Sequence, residues 1–322
     1  MKKFGWAVIG CGNIARGVAG EIIGSENGRI VSAWNRTESK AVEFCEIYGG
    51  KPCRSIEEAV TAEGVDGAYV ATTHDKHAEF TKICIENGIP VVCEKPFAVN
   101  LKEAEEVFSF AKKKNVYVSE AMWTWHNKTA NVVRNWVKNG RLGEIKGVFA
   151  SYAWPMINDG NYNKRLTEPS LIGGALLDIG IYPVRYVYEI FGMPYRITCR
   201  GDVVGGVDHN EKIEMDYGSF KAEITVSIRS DEGEYFIVEG SEGRIDVPLF
   251  HMAREATLSG RFNEKFNDGE KYLYGTQMRN AAEEISAGKK ESAFCPEKNT
   301  LDTMRLLDEC RRQMGVVYPS EK

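Results

Sequence analysis

The sequence has no apolar run long enough to span a bilayer, no clustered cysteines, no low-complexity tract and no excess of basic charge. Each absence removes a class of protein. A membrane span needs about 20 consecutive apolar residues, so no membrane partner is expected. The eight cysteines (Cys11, Cys45, Cys53, Cys84, Cys93, Cys199, Cys295, Cys310) form no CxxC pair. Scattered through a chain of this size, they read as reduced thiols of a cytoplasmic protein rather than as staples of a secreted one. The net charge of -5 argues against a nucleic-acid partner, because phosphate binding calls for a basic surface. Lys113-Lys114 reads instead as the solvated end of a mixed-charge helix. Met1-Lys2-Lys3 before an apolar run superficially resembles a secretion signal, but the run over residues 4–9 is short and ends in glycines, so it reads as a first strand. No metal site is expected: His74 and His77 are three apart, yet no Cys or carboxylate set completes a zinc shell. No Ser-His-Asp or Cys-His arrangement for nucleophilic catalysis can be argued either.

What is present suffices for two cores. At 322 residues and 43% hydrophobic content, the chain exceeds the usual size of one compact domain. The first third alternates short β-branched runs (4–9, 30–34, 68–71, 91–93, 117–119) with helical stretches, the pattern of a parallel sheet covered by helices. Ser55-Ile56-Glu57-Glu58 and Asn100-Leu101-Lys102-Glu103 have capping-box spacing. Asn87-Gly88 reads as a left-handed helix stop. Near Glu120 the pattern changes to longer strands over 143–151, 195–204, 220–229 and 234–239. Phe220, Ala222, Ile224, Val226 and Ile228 alternate with Lys221, Glu223, Thr225, Ser227 and Arg229, giving one buried face and one polar or partner-facing face. Helices over about 175–191, 276–288 and 297–313 complete the second half. The expected architecture is α/β: a doubly wound Rossmann domain over 1–121, then an α/β domain over 122–322 on an open, mostly antiparallel sheet. The C-terminal helix could pack back on the first domain.

Three segments carry chemistry. Gly10-Cys11-Gly12-Asn13-Ile14-Ala15 fits G-x-G-x-x-A between a strand and a helix, the setting of a dinucleotide loop. Gly10 permits the tight turn, Gly12 lets the backbone approach a pyrophosphate, and the helix start at Asn13 and Ile14 offers amides. At the end of the second strand, where NAD sites usually place a carboxylate, the chain has Trp34-Asn35-Arg36-Thr37. Arg36 could pair with a 2′-phosphate and Asn35 could add hydrogen bonds, favouring NADP, with NAD possible. The competing reading makes Arg36 a solvated residue opening the next helix. The second segment is Glu94-Lys95-Pro96, at a strand's C-terminal end where doubly wound sheets bind ligands. A lysine there can donate to a substrate hydroxyl. The third is Gly173-Gly174-Ala175-Leu176-Leu177-Asp178-Ile179-Gly180-Ile181-Tyr182-Pro183. Asp178 and Tyr182 are four apart, hence on one helical face, and Pro183 requires the helix to start or kink nearby.

Together these motifs resemble the glucose–fructose oxidoreductase / inositol dehydrogenase (Gfo/Idh/MocA) family, nearly end to end. The segment Ala71-Thr72-Thr73-His74-Asp75-Lys76-His77 also resembles the family's, with Thr73 where a proline is usual. The resemblance implies hydride transfer between a nicotinamide and a hydroxyl-bearing carbon of a sugar, cyclitol or diol. It implies Lys95 as catalytic lysine, Asp178 as the orienting acid and Tyr182 as acid/base where many relatives have His. The tyrosine variant resembles the branch of dimeric dihydrodiol dehydrogenases and NADP-dependent xylose dehydrogenases. Thr72, His74, His77, Glu94 and Lys95 would join Gly10, Gly12, Asn13, Ile14, Asn35 and Arg36 around the cofactor. One departure concerns Trp125, where relatives often carry Arg, followed by His126, Asn127 and Lys128. Trp123, Trp125 and Trp154, the last in the loop Trp154-Pro155-Met156-Ile157-Asn158-Asp159, could wall the substrate pocket, with core packing an equal contender for Trp123 and Trp125. A homodimer or homotetramer through the C-terminal sheet is expected. Two other functions stay in view, an NAD-dependent inositol-type dehydrogenase and a non-enzymatic cofactor-sensing regulator.

Overall fold

The computed structural model describes residues 3–26, 28–158 and 162–322, so Met1, Lys2 and Asp159 lie outside the described residues. By compactness the chain divides into one unit of residues 1–126 with 271–301 and another of residues 127–270 with 302–322.

The first unit is built on six strands: β1 (Phe4–Ile9), β2 (Gly28–Trp34), β3 (Lys51–Pro52), β4 (Gly67–Val70), β5 (Val91–Glu94) and β6 (Val118–Ala121). They lie in the order β3-β2-β1-β4-β5-β6, all parallel. This doubly wound order places the reversal between β1 and β4, where open α/β sheets bind ligands beyond the strands' C-terminal ends. β1, β4 and β5 are buried along their whole length, which explains their unbroken apolar runs. The helices are α1 (Asn13–Gly24), α2 (Glu38–Tyr48), α3 (Ile56–Val60), α4 (His77–Glu86) and α5 (Leu101–Lys114). Both expected N-caps form. Ser55 Oγ accepts the Glu58 amide at 3.0 Å and Asn100 Oδ1 accepts the Glu103 amide at 2.9 Å. The acids reach back one residue further than a capping box requires, Glu58 accepting from the Arg54 amide and Glu103 from the Val99 amide. Gly88, at φ +72°, is the left-handed stop after α4.

The second unit carries eight strands: β7 (Ile145–Ala153), β8 (Arg196–Val204), β9 (Val207–Asp216), β10 (Lys221–Ser227), β11 (Gly233–Gly240), β12 (Gly243–Pro248), β13 (Glu255–Gly260) and β14 (Glu264–Asn267). Their order is β14-β13-β12-β11-β7-β10-β9-β8, with β7 and β10 the one parallel pair among these neighbours. The sheet is therefore open and mostly antiparallel. On β10 the alternation holds over the first residues, with Ala222, Ile224 and Val226 buried and Lys221 and Glu223 exposed, but it ends at Ser227, which is buried although the alternation put it on the polar face. The polar face is laced by ion pairs such as Lys221–Glu214 at 2.9 Å and Lys212–Glu232 at 3.0 Å. α6 (Lys128–Lys138), the single turn α7 (Lys164–Thr167) and α8 (Ile181–Phe191) belong to this unit. Helix α9 (Leu273–Ser286) belongs to the first unit and packs on α1.

The helix expected over 175–191 forms with those bounds, from Ala175 through Phe191. Residues Leu176–Gly180 form a wide π turn and α8 proper begins at Ile181. Pro183, which has no amide to donate, comes just after this π turn, so the helix passes it through a local widening.

Candidate active site

The first unit offers a backbone cradle. Gly10, at φ +100°, donates its amide to the Trp34 carbonyl at 2.8 Å, and a Cβ there would collide with the Ala71 carbonyl. Glycine is required on both counts. Gly12 differs: it caps α1 without a side-chain hydrogen bond, and a Cβ added to it would have no atom within 4 Å. A helix N-terminus opening onto free space over a glycine fits a dinucleotide's pyrophosphate. Cys11 is no nucleophile, since burial pushes its thiol up to about 12.

Side chains brace this cradle. Asn35 Oδ1 accepts the Cys11 amide at 3.2 Å while its Nδ2 donates to the Thr37 carbonyl at 3.0 Å. Arg36 is exposed, and its charge is felt at Lys76, which ion-pairs with Glu79 at 2.8 Å. His77 is buried with Nδ1 2.7 Å from the Pro96 carbonyl and Nε2 3.3 Å from the Thr72 carbonyl. It thus ties the 72–77 loop to the Glu94-Lys95-Pro96 turn. Burial, helped by the nearby Lys95 charge, holds its imidazole below the usual histidine value. The ring of His74 lies 5.7 Å from it, edge-on.

Glu94 is buried at the end of β5 and accepts the Tyr69 hydroxyl at 2.5 Å. Burial pushes its carboxyl up to about 7, against the opposing pull of Tyr69 and Lys95. The turn after it is held by Glu120, whose carboxylate accepts the Phe97 amide at 3.1 Å and the Thr300 hydroxyl at 2.9 Å. Trp123 and Trp125 are both buried, Trp123 tilted against Tyr274 at 4.7 Å, whereas Trp154 is 37% exposed on the second unit.

The second unit offers a side-chain constellation, and its glycines explain how it forms. A Cβ on Gly173 would meet the Leu166 carbonyl at 2.7 Å, so only glycine lets this stretch lie on α7. Gly174, at φ +120°, makes room for the Asp208 carboxylate, which accepts the Leu176 amide at 2.6 Å. With α7 held there, Arg165 forms a two-point ion pair with Asp178, at 2.7 and 3.0 Å. Burial works against the Arg165 charge, but Asp178 and then Tyr182 outweigh it, and its pKa rises. Asp178 therefore holds the guanidinium at two points, with Tyr182 near enough for its charge to be felt there. Tyr182 is buried, with the rings of His251 and Tyr152 at 5.2 and 5.9 Å.

Arg165, Lys76, Tyr152 and His251 were not among the residues expected from sequence. Lys76 lies within the 71–77 segment but was given no role there, and Arg165 carried no motif, its partner Asp178 lying 13 residues away.

Comparison with known proteins is consistent across the chain. Residues 4–122 match the family model "Oxidoreductase family, NAD-binding Rossmann fold", and residues 131–246 match the "GFO/IDH/MocA C-terminal domain". The chain is similar to trans-1,2-dihydrobenzene-1,2-diol dehydrogenase of Xenopus laevis, 28% identical over 98% of this chain and 99% of that one. It is 26% identical to the scyllo-inositol 2-dehydrogenase (NADP(+)) IolU of Bacillus subtilis, covering 92% and 93% of the two chains. Its fold is that of a 3-ketoreductase from Actinomadura kijaniata solved with NADP and TDP-benzene (TM-score 0.83, 21% identity, 97% and 98% covered). It is also that of the aldose-aldose oxidoreductase from Caulobacter crescentus (TM-score 0.85, 20% identity, 97% of each chain).

Proposed function

The chain belongs to the GFO/IDH/MocA oxidoreductase family, and from that premise we propose an NADP-dependent dehydrogenase or reductase acting on a hydroxyl-bearing carbon of a sugar, cyclitol or diol. The observation that carries this reading is the two-point ion pair of Arg165 with buried Asp178, close enough to Tyr182 for the two charges to be felt. When bound, the nicotinamide supplies or accepts the hydride. The chain's own residues do the rest. Amides at the start of α1 hold the pyrophosphate over Gly12, and the cations Arg36 and Lys76, close enough to feel one another, answer a 2′-phosphate. Asn13, Ile14, Asn35, Thr72, His74, His77 and Glu94 line or brace that cradle.

Tyr182 moves the hydroxyl proton. A phenol titrates near about 10 unperturbed, so it needs a nearby cation to act as a base at neutral pH. Arg165 is such a cation within its own unit, and Asp178 fixes the guanidinium's orientation. Lys95 is proposed to donate to a substrate hydroxyl. Trp123, Trp125 and Trp154 are proposed to wall the substrate. The two compact units divide the work, cofactor on the first and substrate on the second, with the open sheet as the surface of a homodimer or homotetramer. No helix is long and apolar enough to cross a membrane; eight buried free cysteines favour the cytoplasm.

The test is an NADP reduction and oxidation screen over aldoses, ketoses, cyclitols and diols, comparing wild type with Tyr182→Phe and Lys95→Met. Turnover should fall about 100-fold or more in each variant while NADPH still binds. Unchanged turnover in Tyr182→Phe sinks its role, and no turnover on any compound with NADPH bound favours the regulator instead.

A further inference from the structure

Beside Tyr182 lies a hydrogen-bonded chain of three ionisable groups that the reading above does not use. Tyr152 sits on β7 directly across from Glu234 on β11. His251 stands in the single turn Phe250–Met252, which follows Leu249 in left-handed backbone at φ +47°. The Leu249 amide donates to the Glu234 carbonyl at 3.1 Å, so the turn folds back over the strand. Glu234 Oε1 then accepts from both the backbone amide of His251, at 2.9 Å, and from Nδ1 of its ring, at 2.5 Å. On the ring's far side Nε2 is 3.3 Å from the Tyr152 hydroxyl. The Glu234 side chain is 1% exposed and that of His251 14%. With Nδ1–H given to the carboxylate, neutral His251 presents Nε2 as an acceptor, and Tyr152 is its donor.

Packing alone does not call for this arrangement. A buried carboxylate is costly unless paired, and an arginine would pair it permanently. A histidine pairs it in a way that depends on one proton. The groups facing His251 are Glu234 from β11, Tyr152 from β7 and Tyr182 from α8, with Arg165 and Asp178 on Tyr182's other flank. The three rings of Tyr152, His251 and Tyr182 lie within 4.7 to 5.9 Å of one another.

Resting on the reading of Tyr182 as acid/base, we propose that Tyr152, His251 and Glu234 form a proton relay that resets Tyr182 after each turnover. In the oxidising direction the substrate O–H proton passes to the Tyr182 phenolate. Tyr182 returns it to the Tyr152 oxygen as Tyr152 gives its own proton to His251 Nε2. His251 becomes an imidazolium whose Nδ1–H stays with the Glu234 carboxylate, and it gives the Nε2 proton to solvent, to which its side chain is 14% exposed, returning to neutral imidazole. Tyr182 is again a phenolate, Tyr152 again a phenol, and one proton has left per substrate oxidised. Reduction runs the chain backwards. His251 and Glu234 are thus positioning residues that act through Tyr182.

The test uses the full-length chain with NADP and either scyllo-inositol or trans-1,2-dihydrobenzene-1,2-diol. His251→Gln should lower kcat about tenfold or more with KM and NADPH affinity little changed. One ionisation should vanish from its kcat–pH profile, and free imidazole should restore part of the rate in His251→Ala. Glu234→Gln, isosteric and safe for folding, should give the same profile change. A kcat within twofold of wild type, or a lower kcat with an unaltered pH profile, overturns the relay. A second arm needs no turnover: by NMR on the NADP-bound protein, Tyr182→Phe should move the titration of the His251 imidazole, and no movement also overturns it. Tyr182→Phe retaining full activity condemns the parent reading instead, so the two failures are distinguishable.

Discussion

The two units each begin their functional segment with a pair of glycines, and the pairs differ at one member, Gly12. In the first pair Gly10 gives way to the Ala71 carbonyl, while Gly12 clears space for something outside the protein: a Cβ on it would meet no atom within 4 Å. Gly173 and Gly174 both clear space for the protein's own groups, the Leu166 carbonyl and the Asp208 carboxylate. The first pair builds a site from backbone amides, and the second builds one by letting side chains converge. Loss of the second pair should therefore be felt in folding, and loss of Gly12 only in binding.

The largest effect should come from Gly174→Ala. It forces a side chain into φ +120° and pushes Asp208 off the Leu176 amide. Backbone strain and a lost charge-assisted hydrogen bond together cost about 3 kcal/mol or more. Urea unfolding should show the midpoint lowered accordingly; an unchanged midpoint would break the contrast.

Next comes a difference between the two units' acids. Asp178 has a guanidinium at two points, whereas Glu94 is buried against a phenol and pushed up to about 7 from an ordinary 4.5. Between those values the folded protein binds the Glu94 proton and the unfolded chain does not. Stability from this group is thus full below pH 4.5 and lost as pH rises through 7. The loss is at most about 3 kcal/mol. Glu94→Gln should flatten that slope, so its unfolding midpoint relative to wild type should be higher at pH 8 than at pH 5. Equal differences at both pH values would show that burial does not govern Glu94.

These contrasts also explain what could be read in advance. The glycine loop, both N-caps and the strand periods are local, so spacing alone revealed them, down to β1 at residues 4–9. The shared helical face of Asp178 and Tyr182 was legible in the same way, whereas their roles came from the family resemblance. Arg165 was not legible, because it lies on a single turn of helix whose approach depends on Gly173. The Tyr152–His251–Glu234 chain joins β7, β11 and a turn after β12, and no spacing encodes a register between strands 82 residues apart. Strand β9 escaped notice because Asp208, His209 and Glu211 are buried charges where alternation expects apolar residues. The helix over 175–191 was legible, and the need for a start or kink near Pro183 with it, but not that Leu176–Gly180 would form a π turn.

Smaller effects refine the binding side. Gly12→Ala should leave the urea midpoint within about 0.5 kcal/mol of wild type, since its Cβ meets no protein atom and its φ of -77° suits alanine. NADPH affinity should nevertheless fall about tenfold or more, by the methyl's intrusion on the pyrophosphate. Unimpaired binding would mean that the cradle is not where the dinucleotide lies.

The finest distinction is between the two dinucleotides. Arg36 is exposed after β2, close enough to Lys76 for their charges to interact, and Lys76 is already engaged by Glu79. A 2′-phosphate between such cations would gain a bidentate contact from the planar guanidinium and a point charge from the lysine. An NAD ribose would gain neither. Arg36→Ala should therefore weaken NADP by about tenfold, or about 1.4 kcal/mol, and leave NAD nearly unchanged. Thermal shift against both cofactors reads this directly, and raising salt should shrink the difference because the pair is exposed. Equal weakening of NADP and NAD would make Arg36 a brace of the loop, and an unchanged NADP affinity would return it to the solvated start of α2.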